Sequence, residues 1–117
     1  MIYRLLFLCL RRSKVYTRYK LTLANRVTIP VGAVVELEVV QQVEVPKSPL
    51  GEQHHNYGMF YIRKQFAMKG LFQAVHSPFS EGFSGVPVIV VENRHVADIE
   101  LLANEEVGEF WLFGDIK

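Results

Sequence analysis

The sequence predicts an all-β fold, a barrel or sandwich of short strands, and three observations carry that expectation. Valine occurs 16 times beside eight Phe and five Tyr, and β-branched and aromatic side chains suit a pleated, half-buried surface. Apolar and polar residues alternate at period two over most of the apolar stretches. Clusters of Gly, Pro, Asn and Ser break these stretches at intervals of roughly 8 to 12 residues, the rhythm of sandwiches and barrels. The 117 residues read as one domain over 1–117, above the size at which a core needs disulfides or metals.

Taken in order, Thr17 to Thr28 alternates loosely until Ile29-Pro30-Val31-Gly32 punctuates it. Val34 to Val45 reads as one long half-buried strand, with Val34, Val35, Leu37, Val39 and Val40 interleaved with Glu36, Glu38 and Gln41. Pro46 to Gly51 ends it, and Glu52 to Asn56 is an exposed loop. Tyr57 to Ile62 starts another strand, and Ala67 to Gly70 is the one helical turn expected, stopped by its glycine. Leu71 to Val75 is a strand and Ser77 to Gly85 a hairpin or loop. Val86 to Val91 is so uniformly apolar that it reads as a strand buried on both faces. Asn93-Arg94-His95 turns, Val96 to Leu102 alternates, Asn104 to Gly108 turns again, and Phe110 to Phe113 closes the chain.

Composition excludes several classes of function. The single cysteine, Cys9, rules out an intrachain disulfide framework and a thiolate-rich zinc site. The apolar run Leu5 to Leu10 is far short of the roughly 20 residues of a membrane span. It also precedes Arg11 and Arg12, whereas a signal peptide carries its positive charge first. The expectation is a protein with no membrane partner, not secreted by a signal peptide, and kept in a reducing compartment such as the cytoplasm.

A net charge of +1 hides an uneven distribution. Residues 1–26 hold seven cations (Arg4, Arg11, Arg12, Lys14, Arg18, Lys20 and Arg26) and no acid, while all 12 acids lie beyond them. Residues 1–16 read as a basic strand or arm, with Arg11, Arg12, Lys14 and Arg18 as candidate partner-binding residues. Such an arm meets something negative: a nucleic acid, a membrane face or the acidic body of a neighbouring subunit. Alternation alone also explains the spacing of these cations, as the solvated face of the first strands.

Four histidines raise the question of a metal, but His54 and His55 are adjacent and point apart in an extended loop. No acid stands at a ligand-like spacing beside His76 or His95, so these read as surface histidines and no metal or cofactor is expected. No glycine loop of the strand-to-helix type cradles a phosphate. Ser84, between Phe83 and Gly85, is the one serine resembling a nucleophile on a sharp turn, and a tight hairpin explains that glycine better. Arg63, Lys64 and Lys69 form a small cationic cluster, suited either to a phosphate or to a solvated turn.

Tyr19 to Leu21 with Val27 to Gly32, Arg63 to Leu71, Phe79 to Gly85, Val86 to Asn93 and Asn104 to Phe110, in that order along residues 17 to 114, together resemble the trimeric dUTPase and dCTP deaminase superfamily. Tyr19-Lys20-Leu21, followed by Val27-Thr28-Ile29-Pro30-Val31-Gly32, is similar to the first family motif, Tyr-Asp-Leu and its sequel. Arg63-Lys64-Gln65-Phe66-Ala67-Met68-Lys69-Gly70-Leu71 resembles the second. Phe79-Ser80-Glu81-Gly82-Phe83-Ser84-Gly85 resembles the third, and Val86 to Asn93 the apolar strand ending in Asn. Asn104 to Phe110 sits where the family has a turn and strand carrying a glutamine. The resemblance implies a distorted jelly-roll β-barrel, a homotrimer, and nucleotide-pocket positions at Lys20, Arg63, Lys64, Gln65, Ser80, Phe83 and Glu109.

The departures matter as much as the matches. Where the family has an aspartate that helps organise magnesium, this chain has Lys20, which repels a metal. The motif arginine is kept as Arg63, but the phosphate-contacting serine is replaced by Lys64. The aspartate that orients the attacking water aligns with Ser80, which has no base strength near neutral pH. The phosphate-contacting glutamine is Glu109, a negative charge where a triphosphate would lie. The glycine-rich closing tail of the family has no counterpart before Lys117, and Glu81 does not occupy the position of the deaminase glutamate. Glycines that shape the backbone match, while the polar groups that run the chemistry do not.

These readings lead to a catalytically silent member of the superfamily, acting through itself or a protein partner as an interaction or assembly module. A viral structural or regulatory protein, virion-associated, is one form of it. The alternative is a divergent nucleotide hydrolase whose site is rebuilt from Arg63, Lys64 and an acid such as Glu81 or Glu109. Val86 to Val91 and Phe110 to Phe113, apolar on more than one side, are the excess that a subunit interface would hide.

Overall fold

Among the described residues, 14–48 and 55–114 of a computed structural model, the chain forms eleven strands and one short helix. The first four strands are β1 (Lys14–Thr22), β2 (Val27–Ile29), β3 (Val34–Leu37) and β4 (Val43–Glu44). Then come β5 (Tyr57–Ile62), α1 (Lys64–Met68), β6 (Leu71–Gln73), β7 (Phe79–Ser80) and β8 (Ser84–Gly85). The chain ends through β9 (Ile89–Asn93), β10 (Ile99–Leu101) and β11 (Glu106–Gly114). Cys9, His54, and Leu5 to Arg12 lie outside the described residues.

All pairings are antiparallel. A four-stranded sheet has the order β1-β11-β5-β7 and a three-stranded sheet the order β3-β9-β6, with β10-β2 and β4-β8 as two-stranded ladders. Inward residues of all four meet in one apolar cluster, among them Leu21, Ile29, Leu37, Val43, Phe60, Ile89, Leu101 and Phe110. The expected jelly roll is present, but the sheets do not close into a barrel. The physical reason is strand length: β4 and β8 are two residues each and pair only with one another, so the hydrogen-bond ladder stops there.

Tyr57 to Ile62 forms a strand with the expected bounds. Val34 to Val45 does not stay one strand, because it leaves the β3–β9 ladder after Leu37 and crosses to β8. At the crossing the Gln41 side chain replaces a strand neighbour: its Oε1 accepts from Thr22 N and its Nε2 donates to Thr22 Oγ1, both at 2.7 Å. Leu37, Val39, Val43 and Val45 still face the core, which is why the alternation looked unbroken.

The strand expected at Val86 to Val91 starts only at Ile89. Pro87, with no N–H to give a ladder, is buried, while Val86 and Val88 are 42% and 59% exposed. Within β9 burial alternates, with Ile89, Val91 and Asn93 inside. The helical turn comes three residues early, at Lys64–Met68, and Phe66 is its buried anchor. Ser77 to Gly85 contains a turn, but its arms pair outward, β7 with β5 and β8 with β4.

Three polar side chains complete the frame. Asn93, fully buried, donates from Nδ2 to Ile29 O (2.9 Å) and Ala97 O (3.0 Å), and its Oδ1 accepts from His95 N (2.8 Å). That satisfies every bond a buried amide must make and ties β9 to β2. Gln73 accepts from Ile62 N (3.1 Å) and donates to Phe60 O (2.9 Å), serving the edge of β5 where β7 no longer reaches it. Asn56 donates from Nδ2 to Pro46 O at 2.8 Å.

Candidate functional site

The register of the four-stranded sheet decides where the motif positions fall. Lys20 on β1 lies directly across from Glu109 on β11, and Glu109 across from Tyr61 on β5. Arg63 follows one step beyond Ile62, its N–H bonded to Val107 O at 2.8 Å. Arg63 is half-buried and leads into α1, where Lys64 and Gln65 are exposed. These five positions therefore gather at one end of the sheet.

Ser80 is at the other end, opposite Tyr57. Tyr61 stands four residue steps beyond Tyr57 along β5, roughly 13 Å at about 3.3 Å per residue. One chain does not bring Ser80 to Arg63 and Glu109. Phe83 turns inward, half-buried: its ring packs edge-on to Phe79 at 4.9 Å, and Phe79 in turn to Phe110 at 5.0 Å. Gly82 (φ +87°) makes the turn between them, a left-handed conformation that glycine adopts without strain.

The acids nearest these positions are engaged. Glu109 Oε1 accepts from the Trp111 indole Nε1 at 2.9 Å. Glu81 Oε1 accepts from Asn56 N at 2.7 Å, its carboxylate lies 3.4 Å from Ser48 N, and His55 Nδ1 stands at 3.5 Å. Sequence reasoning offered Glu81 as an acid for catalysis; the fold uses it to fasten the segment around residue 56 to the turn. Tyr16, the unmatched residue of a bulge in β1, has a buried hydroxyl without a hydrogen-bond partner, as does Asn56 Oδ1. Burial pushes the Tyr16 phenol above the usual tyrosine value, and the nearby Tyr19 and Glu81 add to the shift.

A groove of about 520 Å³ runs beside this turn, lined by His55, Tyr57, Met59, Pro78, Ser80 and Glu81. Its walls are chiefly apolar and no cation lines it except a protonated His55, which does not suit a triphosphate. The magnesium site that the motif resemblance implies finds no matching donors, since a lysine stands at the aspartate position and Glu109 already serves Trp111. Among the described residues no three His, Cys, Asp or Glu side chains cluster closely enough to hold a metal ion. His55, His76 and His95 are exposed, as surface histidines should be.

Of the candidate partner-binding cations, Lys14 and Arg18 are exposed on β1, and Arg11 and Arg12 lie outside the described residues. Arg18 spends its guanidinium on its own chain, 4.3 Å above the Trp111 ring. Arg26 pairs with Glu100 at 2.6 Å. Among the described residues no helix is long and apolar enough to cross a membrane.

No protein-family model and no curated protein matches this sequence. Solved structures do. The native EIAV dUTPase is 16% identical with a TM-score of 0.69, covering 89% of this chain and 83% of that one. The dUTPase of Staphylococcus bacteriophage 80alpha, with dUpNHpp, is 12% identical with a TM-score of 0.70, over 89% and 73% of the two chains. A dUTPase from phage phi11 of S. aureus is 11% identical with a TM-score of 0.69, over 89% and 80%. The class this defines is a fold: the chain has a divergent dUTPase-like jelly roll.

Proposed function

We propose that this chain is a catalytically silent dUTPase-like protein that works as a homo-oligomeric interaction or assembly module. The observation that carries the reading is the row Lys20–Glu109 across β1 and β11, with Glu109 bound to the Trp111 indole. At the two positions where the resembled family uses an acid and an amide on metal and phosphate, this chain sets a cation facing a carboxylate. The rebuilt-hydrolase alternative draws on Arg63, Lys64 and an acid such as Glu81 or Glu109, and each of these two acids already accepts a hydrogen bond from its own chain. Fold kinship does not transmit chemistry, so the reading rests on these side chains.

A homotrimer is the assembly proposed, as in the resembled family, and the distance between Ser80 and the Arg63 end suits positions shared between copies. Arg11, Arg12, Lys14 and Arg18 are proposed as the basic contact to a neighbouring copy or protein partner, with nucleic acid as the rival occupant. The phage origin of two of the similar structures supports a viral setting. Phage dUTPases described as controlling transfer of virulence genes support a regulatory role on this fold.

The test is turnover with dUTP and dCTP in the presence of magnesium, beside a solution mass. The expected result is neither pyrophosphate nor ammonia above background, and a mass above the monomer's 13.5 kDa. Product release that Arg63→Ala abolishes would return the hydrolase reading.

A further inference from the structure

The outer face of the three-stranded sheet mixes valines with carboxylates. Val34 on β3, Glu92 on β9 and Phe72 on β6 stand in one row across the ladders, and Glu36 faces Val90 in the next. Their strand neighbours Leu37, Ile89, Val91 and Leu71 are buried, so these side chains point away from the core. Val34 is 57% and Phe72 40% exposed, and the exposed Val86 and Val88 continue the apolar strip ahead of β9. Between those two valines and the Glu36–Glu38 side runs a groove of about 350 Å³, floored by Leu37 and Pro87. Single exposed valines are ordinary on a protein surface, but a contiguous apolar strip rimmed by charge marks a contact site.

The free charges along the groove are of one sign. Glu36 and Glu38 are exposed and pair with no cation among the described residues, and Glu38 accepts one hydrogen bond from Asn25 Nδ2 at 3.4 Å. Arg94, at the other end of the face, is held by Glu92 at 3.0 Å and lies 5.0 Å from the Phe72 ring centre.

A segment that complements this face belongs to the same chain. Residues 1–13, outside the described residues, carry Arg4, Arg11 and Arg12, no acid, and the apolar run Leu5 to Leu10. They lead into β1 at Lys14, which pairs with Gly114. Gly114 lies against the Asn56 side chain, and Asn56 N bonds to Glu81, five residues before Val86. Those five residues span at most about 18 Å, whereas the 13 of the arm reach about 45 Å when extended. The groove is within reach of the arm's root.

We infer that residues 1–13 dock on the outer face of the β3-β9-β6 sheet of their own chain. Leu5 to Leu10 lie along Val34, Val86 and Val88, and Arg11 and Arg12 meet Glu36 and Glu38. Apolar contact holds the arm down, while the exposed charges fix its register and weaken as salt rises. A neighbour's arm has the same chemistry, but attachment gives the chain's own arm the higher local concentration. The inference goes beyond the assembly reading: it gives Arg11 and Arg12 a place on their own body, from which a partner must draw them.

Cys9 is the chain's single cysteine and sits inside the apolar run, so Val88→Cys turns docking into a disulfide. The experiment oxidises the intact Val88→Cys protein with glutathione disulfide. The control is Val96→Cys, whose exposed side chain lies beyond the opposite end of β9. The expected result is an intrachain bond from Cys9 to the thiol at position 88, formed at least about tenfold faster than in the control. Adding Glu36→Lys and Glu38→Lys should bring that rate down to the control's while β-sheet circular dichroism is kept. Equal rates for the two cysteine positions overturn the inference, and so does a rate indifferent to the two charge reversals. A disulfide formed only between chains overturns it too, and gives the face to a neighbour's arm.

Discussion

The two faces of the β11–β5 ladder are built from the same residue classes and behave differently. On the inner side Phe110 is fully buried and Leu112 nearly so, each surrounded by side chains from other sheets. On the outer side Trp111 and Phe113 touch Tyr57, Tyr61 and an arginine side chain, all from this sheet. Hydrophobicity is therefore a poor guide to which face holds the fold together. What distinguishes them is the second layer: the inner rings are locked between sheets, while among the described residues the outer ones pack against rings and a guanidinium of their own sheet.

Mutation should separate the faces cleanly. The largest effect belongs to Phe110→Ala, which empties a fully buried position and should cost ~3–5 kcal/mol in denaturant unfolding. If Trp111→Ala, measured at monomer concentrations, costs as much, the distinction between the faces fails. Next comes Gly58→Ala. An added Cβ would sit 2.2 Å from Phe110 Cζ, so ring or backbone must shift at a cost of about 1–3 kcal/mol. A neutral Gly58→Ala would mean that the inner face is looser than its burial implies.

Tyr16 sharpens the comparison through pH. Its phenol is held above the free tyrosine value of about 10 by burial first, then by Tyr19 and Glu81. As pH rises, the unfolded chain loses this proton before the folded one does. The stabilisation is thus complete below about pH 10 and is lost as pH climbs through the folded value. Tyr16→Phe should show a shallower fall in Tm across the alkaline range than the wild type. Parallel curves for the two proteins would retire the claim. The smallest effect is expected from Arg18→Ala, whose stacking on Trp111 at an exposed site contributes below about 1 kcal/mol to the monomer.

Local features of the fold were legible where local rules suffice. The strand Tyr57–Ile62 follows from its composition, and the Gly70 stop comes directly after Lys69, the cap of the helix that ends at Met68. Where the chain changes sheets the reading failed. Alternation persists through Val34 to Val45 because both halves face one core, yet nothing in the pattern marks the crossing at which Gln41 takes over from a strand partner. Pro87 was the missed signal in the next apolar run, since it delays β9 to Ile89.

The candidate site shows the same limit. Lys20, Ser80 and Glu109 were legible as replacements of polar family positions, because replacement is a property of residue type. Their separation into two ends was not, because it depends on the β5–β7 register, which places Ser80 beside Tyr57. Glu81 looked like an available acid, and only its bonds to the backbone at residues 48 and 56 reveal a structural tie.

Gln73 has a consequence for how the protein behaves in concentrated solution. Beyond Gly58 the outer rim of β5 offers free backbone donors and acceptors, the kind of template on which a foreign strand can grow into a fibre. One side-chain amide occupies that stretch, bonding to Phe60 and Ile62 as a strand's own peptide unit would. The sheet is made finite there by a residue that pairs once and offers nothing to the next chain. At this stretch of β5 a foreign strand finds the backbone groups of Phe60 and Ile62 already taken, so growth of the sheet past that edge is blocked by a single amide.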